Sequence, residues 1–336
     1  MDSKMMMESS VAQDLVGKAI LFEIGAKAGI LELIEDQESV SVPSLSHHLN
    51  IKVDFLTTYL DTLESLGLLV KQEAKSSTDV AYVKSSGYEV EKNKIGYLAW
   101  GMMSCAPLIA NTNDFITDFS TAVDRHHRCG EHVARTSKWM GEKDFYPHAE
   151  KVILNLHPKK VVDLGSGTCG LLIRLANKIE GLKGVGVDLS KVACEKAKAH
   201  LADLNLQDQI DVIVSPIQDL IHNTQVFVDA DVVHAGFVFH DLLPEDETKL
   251  DQLLAHILTT SPKTTLVIVD AIPFSQNPHE RSFSSAFTFL HKFYMGRKLL
   301  PEQEWEAKLK KAGFNDITIQ PLGISGGRIF VAKKNS

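Results

Sequence analysis

Two short apolar strands, each ending in a carboxylate and joined through a glycine-rich turn and a helix, constrain this 336-residue chain more than any other feature. The first runs Val161-Val162-Asp163-Leu164 and passes directly into Gly165-Ser166-Gly167-Thr168-Cys169-Gly170. Leu172, Leu175, Ala176 and Ile179 then recur at helical spacing. The second strand is Gly184-Val185-Gly186-Val187-Asp188. Glycine lacks a Cβ, so a backbone rich in it can pass close beneath a ligand. In a doubly wound sheet, a carboxylate ending the second strand binds ribose hydroxyls at the point where the strand order reverses. The pattern predicts an α/β fold that holds an adenosyl ligand at the carboxyl ends of its strands.

The remainder of the chain supports that fold. Strands are expected at 160–164, 184–188, 210–214, 231–235, 265–270, 316–320 and 328–333, with helical segments between them. Alternation of this kind builds a mainly parallel seven-stranded sheet, and Pro321 with Gly323 to Gly327 lets the last two strands form an antiparallel hairpin. Residues 13–72 read differently. One apolar helical segment ends with Leu31, Leu33 and Ile34, and a short helix starts at Ser41-Val42-Pro43-Ser44. A longer helix over 53–66 carries Phe55, Leu56, Tyr59, Leu60, Leu63 and Leu66 on one face. Extended segments at 68–70 and 80–83 can pair across a polar turn, which completes a winged-helix pattern of three helices and two strands. The candidate recognition helix carries Asp54, Asp61 and Glu64 against Lys52 alone, the wrong sign for phosphates.

Charge narrows the function classes further. The net charge of −8 argues against nucleic acid or an anionic membrane as a general partner. The first twelve residues lack the apolar core of a signal peptide. The uncharged stretch 95–113 contains Gly101, Ser104, Pro107 and two asparagines, which suits a buried interface helix better than a membrane span. Cys105, Cys129, Cys169 and Cys194 have no metal-type spacing and read as reduced thiols of a cytoplasmic protein.

Gly165, Gly167 and Gly170 fit G-x-G-x-x-G, but Asp163 distinguishes the turn from a dinucleotide site. An acid at that strand end repels a pyrophosphate and suits the ammonium of a methionine moiety. The block resembles motif I of class I S-adenosylmethionine (SAM) methyltransferases, and Asp188 resembles their motif II acid. The resemblance implies a SAM site built from Asp163, Gly165, Ser166, Gly167, Asp188, Leu189 and Phe237, with Tyr146 near the methionine end. Where the family often has an acid for the adenine, this chain reads Ser215-Pro216-Ile217-Gln218, so Gln218 or a backbone carbonyl takes that contact. The N-terminal pattern is similar to that of plant-type and bacterial small-molecule O-methyltransferases, which implies a homodimerising winged-helix domain with linking helices over 1–148 and a SAM-binding domain over 149–336.

The chemistry centres on Ala230-Asp231-Val232-Val233-His234-Ala235-Gly236-Phe237-Val238-Phe239-His240-Asp241. It resembles the O-methyltransferase segment in which a His-Asp pair follows the fourth strand and the histidine acts as general base. Neutral imidazole suits that task near pH 7. Two features depart from that family. Leu242 stands where tryptophan usually follows, and Phe287-Thr288-Phe289-Leu290-His291 puts a histidine where the resemblance implies an apolar helix facing substrate, 51 positions after His240 (291 minus 240). That histidine pair resembles the iron-dependent α-keto acid C-methyltransferases, such as the phenylpyruvate and 2-ketoarginine enzymes. The resemblance implies His240 and His291 as iron ligands, with Asp241 as a third ligand or as the holder of a metal-bound water. The reaction itself argues for a metal: the β-carbon of a keto acid must lose a weakly acidic C–H, and a Lewis acid on the ketone and carboxylate oxygens stabilises the enolate. Arg125 or Arg128 would pair with the substrate carboxylate, and Trp100, Phe239 and Phe287 would wall the pocket. The product would supply a β-methyl amino acid precursor. Two alternatives stand beside this reading: a metal-independent O-methyltransferase using His240 as base, and a non-catalytic SAM-sensing winged-helix regulator.

Overall fold

The computed structural model describes residues 3–73, 80–275, 277–278 and 280–335. In chain order the N-terminal elements are α1 (Ser3–Lys27), α2 (Ile30–Asp36), β1 (Val40–Ser41), α3 (Val42–Leu49), α4 (Val53–Ser65), β2 (Leu69–Glu73), β3 (Val80–Lys84) and α5 (Tyr88–Ala99), which continues as a π turn, Trp100–Ser104. Then come α6 (Ala106–Ala110), α7 (Thr112–Thr117), α8 (Phe119–Arg125), α9 (Gly130–Asp144) and α10 (Tyr146–Asn155). The sheet region follows as β4 (Lys160–Leu164), α11 (Gly170–Ala176), β5 (Lys183–Asp188), α12 (Lys191–Asp203), β6 (Ile210–Val214), β7 (Val232–Gly236), α13 (Glu247–Thr260), β8 (Thr265–Ala271), α14 (Arg281–Tyr294), α15 (Glu302–Ala312), β9 (Asp316–Pro321) and β10 (Gly327–Lys333). No described helix is long and apolar enough to cross a membrane.

The chain divides into two compact units. The first comprises 1–107 and 128–143, the second 108–127 and 144–336. This differs from a single boundary at 148, because 108–127 packs with the later part of the chain. Leu108, Phe115 and Ala122 form a small buried cluster against Val123, Tyr294 and Met295. Phe115 lies 4.8 Å from the Tyr294 ring, and the Thr112 hydroxyl meets the Tyr294 hydroxyl at 3.1 Å.

In the first unit, α4 buries Leu56, Tyr59, Leu60 and Leu63, an i, i+3, i+4, i+7 stripe. Ser41 caps α3 by accepting the Ser44 N–H, with proline in the first turn. The expected two-stranded pairing of β2 and β3 is present, but β1 adds to it, so the sheet has three antiparallel strands in the order β1-β3-β2. The turn between β2 and β3, 74–79, lies outside the described residues. Phe22, Tyr88 and Trp139 meet at 5.6 Å ring separations in the middle of this core.

The second unit is built on a seven-stranded sheet, order β6-β5-β4-β7-β8-β10-β9. The five strands from β6 to β8 are parallel, and β10 and β9 are antiparallel. Helices cover both faces of a parallel sheet, so β4, β7 and β8 read as near-continuous apolar runs. The chain moves outward from β4 to β6 and then returns to β7 on the other side of β4. The strand order therefore reverses between β4 and β7, and the crevice at their carboxyl ends is where ligands bind in such sheets.

Candidate active site

The turn after β4 is stitched to its neighbour strand. Gly165 N–H and Ser166 N–H both donate to the Val187 carbonyl, at 2.8 and 3.0 Å. Gly165 (φ 73°) and Gly167 (φ 53°) occupy the left-handed region that favours glycine. Gly186, beneath the turn on β5, has no room for a side chain: a Cβ there would lie 2.6 Å from Cys169 Sγ and 2.8 Å from Ser166 Oγ. The Asp188 carboxylate accepts the Gly167 N–H on Oδ2 and the Ser190 N–H on Oδ1, both at 2.8 Å. Two backbone donors thus fix its orientation, and a carboxylate oxygen has lone-pair capacity for more than one donor. Leu189 beside it is 74% exposed, an apolar surface next to that carboxylate.

Asp163 is buried, and its Oδ1 accepts a 2.7 Å hydrogen bond from Nδ1 of His234, its register partner on β7. Sequence reasoning gave His234 no role. The available signal was a polar residue inside an otherwise apolar strand. Phe237 leaves the end of β7 with φ 52°, donates its N–H to the Val269 carbonyl at 2.7 Å, and lies 4.9 Å from Phe145, which in turn stands 5.2 Å from Tyr146. Gln218 follows β6 in a 3-10 turn, with its side-chain amide 3.5 Å from Asp246.

The two histidines come together. His240 sits in the 3-10 turn Phe239–Leu242, and His291 sits on α14. Their ring centroids are 5.0 Å apart at 84°. His291 is fully buried, stacks on Phe287 at 3.9 Å, and bonds through Nδ1 to the Phe287 carbonyl at 2.8 Å. A carbonyl only accepts, so Nδ1 carries the ring proton and Nε2 is the basic nitrogen. His240 is 4% exposed and bonds through Nδ1 to Asp270 Oδ1 at 2.6 Å. Asp270, fully buried at the end of β8, also accepts the Ala271 N–H at 2.8 Å. Both imidazoles are therefore set in the tautomer that presents Nε2, which is what a metal ligand or a general base requires. Asp270 is a site residue that sequence reasoning missed. Its partnership with His240 spans 30 residues and has no local signature.

Asp241 is half-buried. Its Oδ1 lies 3.9 Å from His240 Nε2 and 3.9 Å from Arg297 Nε, and Arg297 Nη1 lies 3.6 Å from Glu245. Arg297 is a cation near the histidines that sequence reasoning missed; its backbone N–H donates to the His291 carbonyl at 2.7 Å. Phe287 lines the pair, 6.1 Å from the His240 ring. Phe239 was expected at the pocket wall and is instead a core residue. It is 1% exposed and packs beside Trp305 at 6.2 Å within the sheet core, so its ring is taken up by apolar packing. Arg125 is exposed at the end of α8 in the second unit, whereas the half-buried Arg128 and the buried Trp100 belong to the first. Among the described residues no group of three or more His, Cys, Asp or Glu side chains is arranged to hold a metal ion. A two-imidazole site falls below that count, and the donor chemistry of His240 and His291 fits iron, for which imidazole is a suitable ligand.

Comparison with known proteins places this geometry. Residues 162–260 match the family described as a methyltransferase domain. Among solved structures, it is similar over its whole length to human N-acetylserotonin methyltransferase in complex with SAM (16% identity, 100% of this chain and 99% of that one, TM-score 0.58). It is likewise similar to a putative O-methyltransferase from Nostoc punctiforme (17%, 99% and 100%, TM-score 0.58). A third is N,N-8-amino-8-demethyl-D-riboflavin dimethyltransferase from Streptomyces davawensis (15%, 100% and 100%, TM-score 0.57). At this level of identity the shared property is the fold, and the methyltransferase domain match runs from within β4 to the end of α13, a span that includes the glycine turn, Asp188 and His240.

Proposed function

We propose that this chain is a SAM-dependent methyltransferase that methylates C3 of an α-keto acid at an iron held by His240 and His291. The observation that carries the reading is the pair of oriented imidazoles. Both Nδ1 atoms are committed to fixed acceptors, one a carboxylate and one a carbonyl, which leaves Nε2 as the basic nitrogen of each ring. Bound iron would supply Lewis acidity toward the ketone and carboxylate oxygens of the substrate and so stabilise the enolate. The protein's own residues do the remainder. Asp270 holds His240 and raises its basicity as a ligand. Phe287 stacks on His291 and presents an apolar surface that excludes water. Asp188 takes the ribose hydroxyls and Asp163 the methionine ammonium, which orients the S-methyl group for in-line attack by C3. The substrate carboxylate falls to an arginine, with Arg297 joining Arg125 as a candidate within the second unit. Asp241, 3.9 Å from His240 Nε2, serves as a third ligand or holds a water.

The second reading is a metal-independent O-methyltransferase. The His240–Asp270 hydrogen bond supports it, since a carboxylate on Nδ1 is also how a general base is oriented. That reading leaves His291 without a task. We further assign the first unit to homodimerisation: Val16, Ile20 and Ile24 recur along α1 at 50, 56 and 41% exposure, an apolar stripe that suits a second copy better than nucleic acid. The SAM-sensing regulator has no observation in its favour. The deciding experiment is metal analysis of untagged protein followed by assay on α-keto acids with and without EDTA. Iron at near one per chain, with activity lost on chelation and restored by iron, is the expected result. Undiminished methylation of a phenol in excess EDTA would replace this reading with the O-methyltransferase.

A further inference from the structure

The Asp163–His234 pair lies at the end of β4, just before the glycine turn; the chemistry above uses Asp163 and gives His234 no task. Both residues are 4% exposed. They face each other in register on β4 and β7, the two strands that flank the switch point. The His234 ring leans along β7 toward its carboxyl end: a Cβ on Gly236 would lie 3.1 Å from His234 Cε1 and 3.7 Å from Nε2. Nδ1 donates to Asp163, and Nε2 is buried with no hydrogen-bond partner among the described residues. A proton on Nε2 would therefore be a buried donor lacking an acceptor, at a cost of about 1–3 kcal/mol. The arrangement that avoids this cost keeps the ring proton on Nδ1 and leaves the negative charge on Asp163 uncancelled. A buried carboxylate among the Val, Leu and Ala of β4 and β7 needs such a donor, and a cation beside it would complete the compensation.

We propose that His234 is a positioning residue for the amino-acid end of the cofactor. This rests on the SAM-site reading above. The Nδ1–H of His234 locks one oxygen of Asp163 and stops the carboxylate from rotating, so that its full charge is directed at the ligand's ammonium at the end of β4. The turn leaves a ligand little latitude there, because a Cβ on Gly165 would already stand 2.9 Å from Val238. His234 touches Asp163 and acts through it.

Two ligands separate this role from a structural one. S-adenosylhomocysteine carries the ammonium and carboxylate, and 5′-methylthioadenosine lacks both while sharing the adenosine. His234→Leu removes the donor. His234→Asn keeps an N–H near the place of Nδ1. By isothermal titration, His234→Leu should weaken S-adenosylhomocysteine by about tenfold, the scale of one hydrogen bond to a charged group. Affinity for 5′-methylthioadenosine should stay within about twofold, and His234→Asn should restore most of the loss. In turnover the KM for SAM should rise while kcat is unchanged. If His234→Leu does not fold, Asp163→Asn supplies the same contrast, since it keeps the shape and removes the charge. Equal loss of both ligands, or no loss of either, overturns the proposal. Wild-type protein that binds neither ligand overturns the SAM-site reading itself.

Discussion

Replacing His291 with phenylalanine separates the two catalytic readings with little structural cost. Alanine is a poor choice, because deleting a fully buried ring leaves a cavity and costs about 3–5 kcal/mol. Phenylalanine keeps a ring in the same place and preserves the 3.9 Å stack on Phe287. What is lost is the Nδ1–H bond to the Phe287 carbonyl, worth about 1 kcal/mol. That carbonyl faces the i+4 N–H of α14, so it is not orphaned. The small increase in volume adds about 1 kcal/mol of crowding at most. A change of this size lowers Tm by roughly 2–8 °C in a unit of this length, and the protein remains folded at assay temperature. The functional effect is of another order. One of two imidazole ligands is gone, so iron content should fall by more than about tenfold. Methyl transfer to an α-keto acid should fall by at least about a hundredfold, near 2.7 kcal/mol in the barrier. The assay combines metal analysis, S-adenosylhomocysteine release and a melting curve on the same preparation, with SAM affinity as the control that must not move. His291→Phe protein with wild-type iron content and turnover within threefold would refute the ligand role.

Other outcomes follow from the same geometry. Asp188→Ala should cost at least about tenfold in SAM affinity, since a carboxylate oriented by two backbone donors is lost; unchanged titration would remove it from the site. Gly186→Ala should destabilise the second unit by about 1–3 kcal/mol and weaken SAM binding, because its Cβ would meet Cys169 and Ser166; a denaturant midpoint equal to wild type would contradict the packing argument. Glu150, buried between α10 and α11, is opposed by desolvation but held below the usual glutamate range by Lys178 and Arg174. A depressed carboxylate contributes stability that is complete above the ordinary glutamate value and is lost as pH falls through its lowered one. The melting temperature of wild type should therefore converge on that of Glu150→Gln in acid, and a gap that stays constant from neutral pH to below pH 4 would show the tie to be inert. Cys169, pushed up to about 12 mainly by burial, should resist iodoacetamide at pH 8 in native protein, and mass spectrometry showing rapid labelling would be inconsistent with the closed turn.

The sequence by itself determined the sheet. All seven strands lie where apolar runs and turn residues place them, to within one residue at either end, because a parallel strand buried on both faces leaves a continuous local signal. The glycine turn was legible for a similar reason: left-handed backbone and a crowded Gly186 demand glycine at fixed offsets from the strands. His240 and His291 were reached by motif and resemblance. The tertiary structure alone decided what holds them. Asp270 meets His240 across 30 residues, and Asp163 meets His234 across 71, through the ends and registers of different strands that no window of sequence spans. It also moved 108–127 into the second unit, joined β1 to the N-terminal sheet, and turned Phe239 into the core. Periodicity records which residues avoid water. It does not record which buried polar group satisfies which, because that depends on distances between segments the chain brings together only when folded.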